Sequence, residues 1–224
     1  MTATPIQSPN FQSPNFQSPD FQNPDRVILS KISWTTYKSL LSDFEQEPAI
    51  RLTYDNGTLE IRMPLDPHES YKKIIGRLIE AATEELGLEI RSLGSRTCER
   101  EDLTQGLEPD QCYYIQNEPL VRSIRQIDLS TMPPPDLAVE IDITSSSLNR
   151  FDIYSKLGVP EIWRFDGKTL TIHRLSQGQY DEINQSIALA PLKTEDFANF
   201  VLANRTAGEN SLLRQFRETL RRKL

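Results

Sequence analysis

Apolar positions along the chain recur with two periods. Trp34, Tyr37, Leu40, Leu41 and Phe44 lie three and four residues apart, the spacing of an amphipathic helix, and Ser33 precedes them as a candidate N-cap. Ile74, Ile75, Leu78, Ile79, Ala82 and Leu86 form a second such stripe, which predicts a helix over Glu69 to Leu86 ending at Gly87. Between them, Ile50 to Tyr54 and Thr58 to Met63 flank Asp55-Asn56-Gly57, a β-hairpin signal because Asn-Gly accepts the positive φ of a tight turn. Leu88 to Leu93 and Cys112 to Gln116 read as strands. Prolines 133 to 135 introduce Asp136 to Ile141, a short apolar run suited to a buried central strand. A Ser/Thr stretch follows, then a helix around Leu148 to Leu157, Gly158, the strand Glu161 to Phe165, a turn at Asp166-Gly167 and the strand Thr169 to Leu175. Helices near Thr194 to Leu202 and Ser211 to Leu220 complete the pattern. Strands mixed with helices in this order make the fold class α/β.

The first 25 residues carry no such pattern. They repeat a five-residue unit, Gln7 to Phe11, Gln12 to Phe16 and Gln17 to Phe21, with a proline in each. Regular proline prevents helix, and the polar filler buries too little to offset ordering entropy, so residues 1–25 are expected to be a disordered low-complexity tail. Residues 26–224 are expected to form one domain.

Composition narrows the classes. With 37% hydrophobic and 25% charged residues, and no run near the roughly 18 apolar residues of a membrane span, a soluble globular protein with no membrane partner is expected. The start lacks a basic segment followed by an apolar one, so a cytoplasmic location is the expectation. Two cysteines, Cys98 and Cys112, suit reduced thiols better than a disulfide framework. A net charge of −7 argues against a protein that coats nucleic acid. The arginines at 91, 96 and 100, at 122 and 125, and from 214 to 222 read as solvated faces that pair locally.

Two carboxylates stand out chemically. Asp110 and Glu140 both lie at strand-like segments with apolar neighbours, and an interior carboxylate needs a partner. Converging acids are compensated most simply by a cation, and oxygen ligands suit Mg²⁺ or Mn²⁺. An acid at a strand end can equally serve a loop or a helix cap. Arg150 reads as a structural helix residue that pairs with Asp142 or Asp152. His68 reads as a capping or hydrogen-bonding residue, and Glu80 and Glu84 as partners of Lys73 and Arg77. Trp163 and Tyr113-Tyr114 fit the core better than a base-stacking platform.

Taken in order, the Asn56-Gly57 hairpin, His68-Glu69 opening a helix, Gly106 to Asp110, Pro135 to Glu140, Tyr154 and Gly158 to Asp166 resemble the Uma-type putative restriction endonucleases, of the PD-(D/E)XK nuclease superfamily. The resemblance spans about residues 30–185. It implies a restriction-endonuclease-like mixed, mostly antiparallel β-sheet core flanked by helices, with metal held by Asp110 and Glu140. His68 and Glu69 fall at positions where an acid on the first helix helps hold metal or orient water. The superfamily's lysine position after the glutamate holds Asp142. In Uma-type relatives a lysine stands four residues before the tyrosine instead, and here that residue is Arg150, before Tyr154. The implied activity is Mg²⁺-dependent (or Mn²⁺-dependent) hydrolysis of DNA phosphodiesters, with Asp110, Glu140, Arg150, His68 and Glu69 as the catalytic set and a homodimer by analogy. The alternative is a weakly active or inactive nuclease-fold module that binds nucleic acid or protein, consistent with Arg150, Asp142 and the acidic charge. A phosphohydrolase acting on smaller substrates lacks the support of a Gly-rich phosphate loop.

Overall fold

In the computed structural model, which describes residues 26–47, 49–63, 66–143, 148–203 and 206–224, the predicted hairpin closes at Asn56 and Gly57, both with positive φ (44° and 93°). It joins β2 (Arg51–Asp55) to β3 (Thr58–Arg62). Before it come β1 (Arg26–Ser30) and α1 (Trp34–Asp43), whose first turn is capped by Ser33 Oγ accepting from Thr36 N at 3.1 Å. After it come α2 (Asp66–Leu86), β4 (Arg91–Gly94), β5 (Cys98–Arg100), β6 (Gln105–Leu107), β7 (Gln111–Tyr114) and the short α3 (Glu118–Val121). The chain continues through β8 (Leu137–Ile141), α4 (Arg150–Leu157), β9 (Glu161–Phe165), β10 (Leu170–Ser176), β11 (Gln179–Ile183), α5 (Thr194–Ala203) and α6 (Glu209–Lys223). The expected repeat tail, residues 1–25, lies outside the described residues, as does most of the Ser/Thr stretch after β8.

These elements make a mixed α/β fold with two sheets flanked by helices. A five-stranded antiparallel sheet has the order β1-β3-β2-β6-β5, and a six-stranded sheet the order β11-β10-β9-β8-β7-β4. In the second sheet only β8 and β9 run parallel, linked by α4, which is the crossover a parallel pair requires. The sequence pattern indicated neither β1, β5, β6 and β11 nor the division into two sheets. The expected strand at Leu88 starts later, at Arg91, and Leu88 is exposed. The expected strand at Asp136 starts one residue later, at Leu137, and the Asp136 carboxylate accepts from Ile115 N (2.7 Å) and Asn117 N (2.9 Å).

Side-chain alternation along β8 positions the site. Leu137, Val139 and Ile141 face the main core, where they meet Ile74, Ile75, Leu78 and Ile79 of α2, Phe197 of α5 and Phe216 of α6. Each such buried aliphatic side chain contributes roughly 1.5–3 kcal/mol of hydrophobic stabilisation. Trp163 and Tyr113 belong to this core, so the aromatics pack in the interior. Ala138 points the other way, toward Ile153, Tyr154 and Leu157 of α4 and Cys98 and Leu107 of the first sheet. Glu140 shares that parity. The first sheet has its own division: Leu52, Tyr54 and Leu59 pack with Tyr37, while Arg51, Thr53, Glu60 and Arg62 occupy the opposite parity and are also buried.

Surface charges pair differently from expectation. Arg77 reaches Glu209 across to α6, Glu84 pairs with Arg217 (2.6 Å), and Glu80 accepts from Ser92 Oγ (3.3 Å). With Arg221 on Glu85 (2.7 Å), two arginines of α6 pair with α2, while Lys223 pairs with Asp196 of α5 (2.6 Å). The partners that sequence spacing proposed within α2 lose because α6 packs beside it and brings better-placed charges. No helix among the described residues is long and apolar enough to cross a membrane.

Candidate active site

The seam between the two sheets and α4 collects buried charge. Asp110, one residue before β7, has the parity of Cys112 and Tyr114, so its carboxylate enters the seam, where the residue is 0% exposed. Three donors meet it. Arg62 Nη2 donates to Oδ1 at 3.1 Å, Ile141 N donates to Oδ2 at 2.7 Å, and His68 Nε2 lies 2.9 Å from the same oxygen. Burial alone pushes this carboxyl up, but the His68 hydrogen bond and the charges of Arg62, His68 and Arg150 outweigh it and hold the pKa at about 2.

Glu140 sits on β8 with both of its hydrogen bonds among the described residues on one oxygen. Arg150 Nη2 donates to Oε1 at 2.6 Å, and the Tyr154 hydroxyl donates to it too. The balance differs from that at Asp110. Burial is the largest influence and raises the Glu140 pKa, the Asp110 charge adds to it, and Arg150 and Arg62 act in the opposite direction. The two neighbouring acids are thus driven apart, Asp110 below its ordinary value and Glu140 above its own.

The structure brings four of the five sequence candidates together. Asp110, Glu140, Arg150 and His68 are all buried at the seam, and Glu69 stands at its rim, 3.4 Å from His68 Nδ1 and 3.2 Å from Lys72 Nζ. Arg150 begins α4 behind Asn149, whose side chain caps the helix by accepting from Asp152 N at 3.2 Å. Its guanidinium is held by Thr53 Oγ1, the Glu108 carbonyl (2.8 Å) and Glu140. The alternative pairing with Asp142 or Asp152 is not adopted: Asp142 takes Arg164 (2.7 Å) and Asp152 takes Lys156 (2.8 Å). The reason is rotational, since the first residue of α4 faces β8 and Asp152 faces solvent.

Sequence reasoning missed Arg62 and Arg164. Both lie in strands where an arginine at alternate positions reads as a solvent-facing residue, and no local signal marks them. They line, with Glu140, Asp142, Asn149 and Arg150, an open cleft of about 330 Å³. Each of the three guanidiniums meets one carboxylate, Arg62 on Asp110, Arg150 on Glu140 and Arg164 on Asp142, so the wall is built from paired charges.

Of the other buried acids, Glu60 and Glu118 also meet arginines, Arg26 at 3.9 Å and Arg122 at 2.7 Å, while two are satisfied by neutral groups. Asp136 accepts only from neutral donors, two backbone amides and the Asn117 side chain. Glu161 does the same with Trp163 Nε1, Ser186 Oγ and the amides of Ile187 and Ala188. Those two organise loops. Asp110 and Glu140 are compensated by cationic groups instead, and the two meet at one seam.

The family model Uma2, described as a putative restriction endonuclease, matches residues 34–203. Among solved structures, the chain is similar to a crystal structure from Anabaena variabilis entitled a putative nuclease belonging to DUF820. Identity is 17% over 79% of this chain and 98% of that one, with a TM-score of 0.45. No curated protein matches.

Proposed function

Because the chain belongs to the Uma2 family of putative restriction endonucleases, we propose that it hydrolyses DNA phosphodiesters with a divalent ion at Asp110 and Glu140. The observation that carries this reading is the pair of buried, cation-compensated carboxylates beside an arginine-lined cleft. Among the described residues no group of three or more His, Cys, Asp or Glu could hold a metal. Two carboxylates still fit Mg²⁺, which keeps much of its water and commonly takes only one or two protein carboxylates plus substrate phosphate. Glu140 Oε2, free of the hydrogen bonds that converge on Oε1, and the Asp110 carboxylate would hold the ion. Bound there, it supplies Lewis acidity at a phosphoryl group. His68 orients Asp110 and Tyr154 orients Glu140, while Glu69 places its charge 3.4 Å from His68 Nδ1. Arg150 supplies fixed positive charge next to Glu140 on the cleft wall. It cannot exchange a proton as lysine can, so its contribution is electrostatic.

Residues 26–224 are taken as one cytoplasmic domain, and two copies acting together would cut both strands. The test is incubation of the purified protein with plasmid and Mg²⁺ or Mn²⁺, beside an Asp110→Ala, Glu140→Ala double variant. The expected result is cleavage by the wild type alone. Equal cleavage by both proteins overturns the assignment.

A second reading has its own support: both acids are already neutralised by guanidiniums and His68, the arrangement of a nuclease fold retained for binding. Calorimetric titration separates the two. Binding of Mg²⁺ or Mn²⁺ that Asp110→Ala abolishes favours the enzyme, and no such binding favours the module.

A further inference from the structure

The three guanidiniums of the cleft are unequally committed. Arg62 and Arg150 are both buried and bonded to buried carboxylates, so withdrawing either would strand a charge in the interior. Arg164 is different. Its side chain is 42% exposed, and its Nε (3.1 Å) and Nη2 (2.7 Å) converge on a single oxygen, Oδ2 of Asp142. Among the described residues these are the only hydrogen bonds of its guanidinium, so Nη1 has no partner there. Asp142 is also incompletely satisfied, with Oδ1 buried and without a hydrogen-bond partner.

Register places this arginine beside the acid pair. In the parallel β8/β9 ladder Glu140 is directly opposite Arg164, which puts both side chains on one face of the sheet, and both line the cleft. An arginine fork matches two phosphate oxygens, and a half-exposed ion pair is weak enough to be exchanged for such a ligand.

We propose that Arg164 is the substrate-phosphate contact of this cleft, and that Asp142 is a latch that holds the guanidinium aside until a nucleic-acid backbone phosphate replaces it. The assignment rests on the nuclease reading and names the residue that grips its substrate. Arg164 is a substrate-binding residue, and Asp142 acts through it as a positioning residue.

The experiment is fluorescence anisotropy of the full chain with a labelled duplex oligonucleotide in EDTA across a salt series. Arg164→Ala is expected to weaken binding about tenfold and to reduce the salt slope by about one, as loss of a single phosphate contact does. Arg164→Lys should retain the slope with intermediate affinity, because a point charge persists without the fork. Asp142→Asn should tighten binding several-fold, a change opposite in sign to that of a damaged fold. The Asp142→Asn, Arg164→Ala double variant should bind like Arg164→Ala.

Affinity and slope within twofold of wild type for Arg164→Ala overturn the proposal, as does weaker binding by Asp142→Asn. If the acid double variant abolishes plasmid cleavage while Arg164→Ala leaves binding, KM and kcat unchanged, the Arg164 assignment alone falls. If the wild type neither binds the oligonucleotide nor cuts plasmid, the nuclease reading falls and takes the assignment with it.

Discussion

On one face of β8, Leu137, Val139 and Ile141 pack among the aliphatic and aromatic side chains of α2, α5 and α6; on the other, Glu140 lies among Arg150, Tyr154 and the charged side of the first sheet. Both faces are buried, yet different physics holds them. The apolar face depends on many small contacts, so loss of one side chain removes a share of packing and leaves a cavity. The seam depends on a few strong mutual compensations, so loss of one partner leaves an unpaired charge where water cannot restore it. The seam is therefore the more fragile region.

The sharpest break of this comparison is Arg150→Ala. It should destabilise the protein by about 3–5 kcal/mol in urea denaturation, since buried Glu140 loses the cation that compensates it. Replacing both partners with apolar residues, Arg150→Met with Glu140→Leu, should recover most of that loss. A single variant as benign as the pair would mean that the seam is not held by charge.

Next comes the apolar face. Leu78→Ala should cost about 2–4 kcal/mol through lost burial and a residual cavity, with oligonucleotide affinity unchanged. A shift of more than threefold in affinity would show that core and seam cannot be treated separately.

Acid pH reaches the seam together with shifted acids elsewhere, such as Glu85 and Asp166, and variants at Asp110 and Glu140 isolate its share. The folded pKa of Asp110, about 2, lies below the ordinary aspartate value, so its contribution is full above about pH 4 and is lost as pH falls through about 2. That contribution is on the order of 2 kcal/mol, and Asp110→Asn should flatten the acid limb of the stability curve. Glu140 has the opposite sign. Burial raises its folded pKa, so its part of the stability falls as pH rises from the usual glutamate value toward the raised one, and Glu140→Gln should remove that slope.

The smallest effect belongs to neither face. Lys156→Ala removes an exposed pair with Asp152 and should change stability by no more than about 0.5 kcal/mol in thermal melts.

How much of this could be read in advance follows from the range of each interaction. The Ser33 cap, the Asn56-Gly57 turn, the α2 stripe and the apolar run of β8 are local features, and each forms about where its residues predict. Three-residue strands such as Cys98–Arg100 and Gln105–Leu107 are too short to carry a period, and their pairing brings together distant segments. Among the candidate residues, Asp110 and Glu140 were legible because a carboxylate beside apolar residues is anomalous. Arg62 and Arg164 were not, because an arginine at alternate strand positions is ordinary on a solvent-facing side.

By itself, then, the sequence determined the family, the mixed α/β composition and the two acids that deserve a chemical role, since each resides in residue type and near-neighbour order. Tertiary structure alone decided which cation meets which acid. The polar parity of β2 and β3 would face water in an isolated hairpin. Packing against the second sheet buries Arg62 against Asp110, and the parallel register sets Arg164 beside Glu140. Those pairings join residues 48 and 24 positions apart in the chain, a separation that no local pattern encodes and only the closed fold brings within hydrogen-bonding or neighbouring-strand distance.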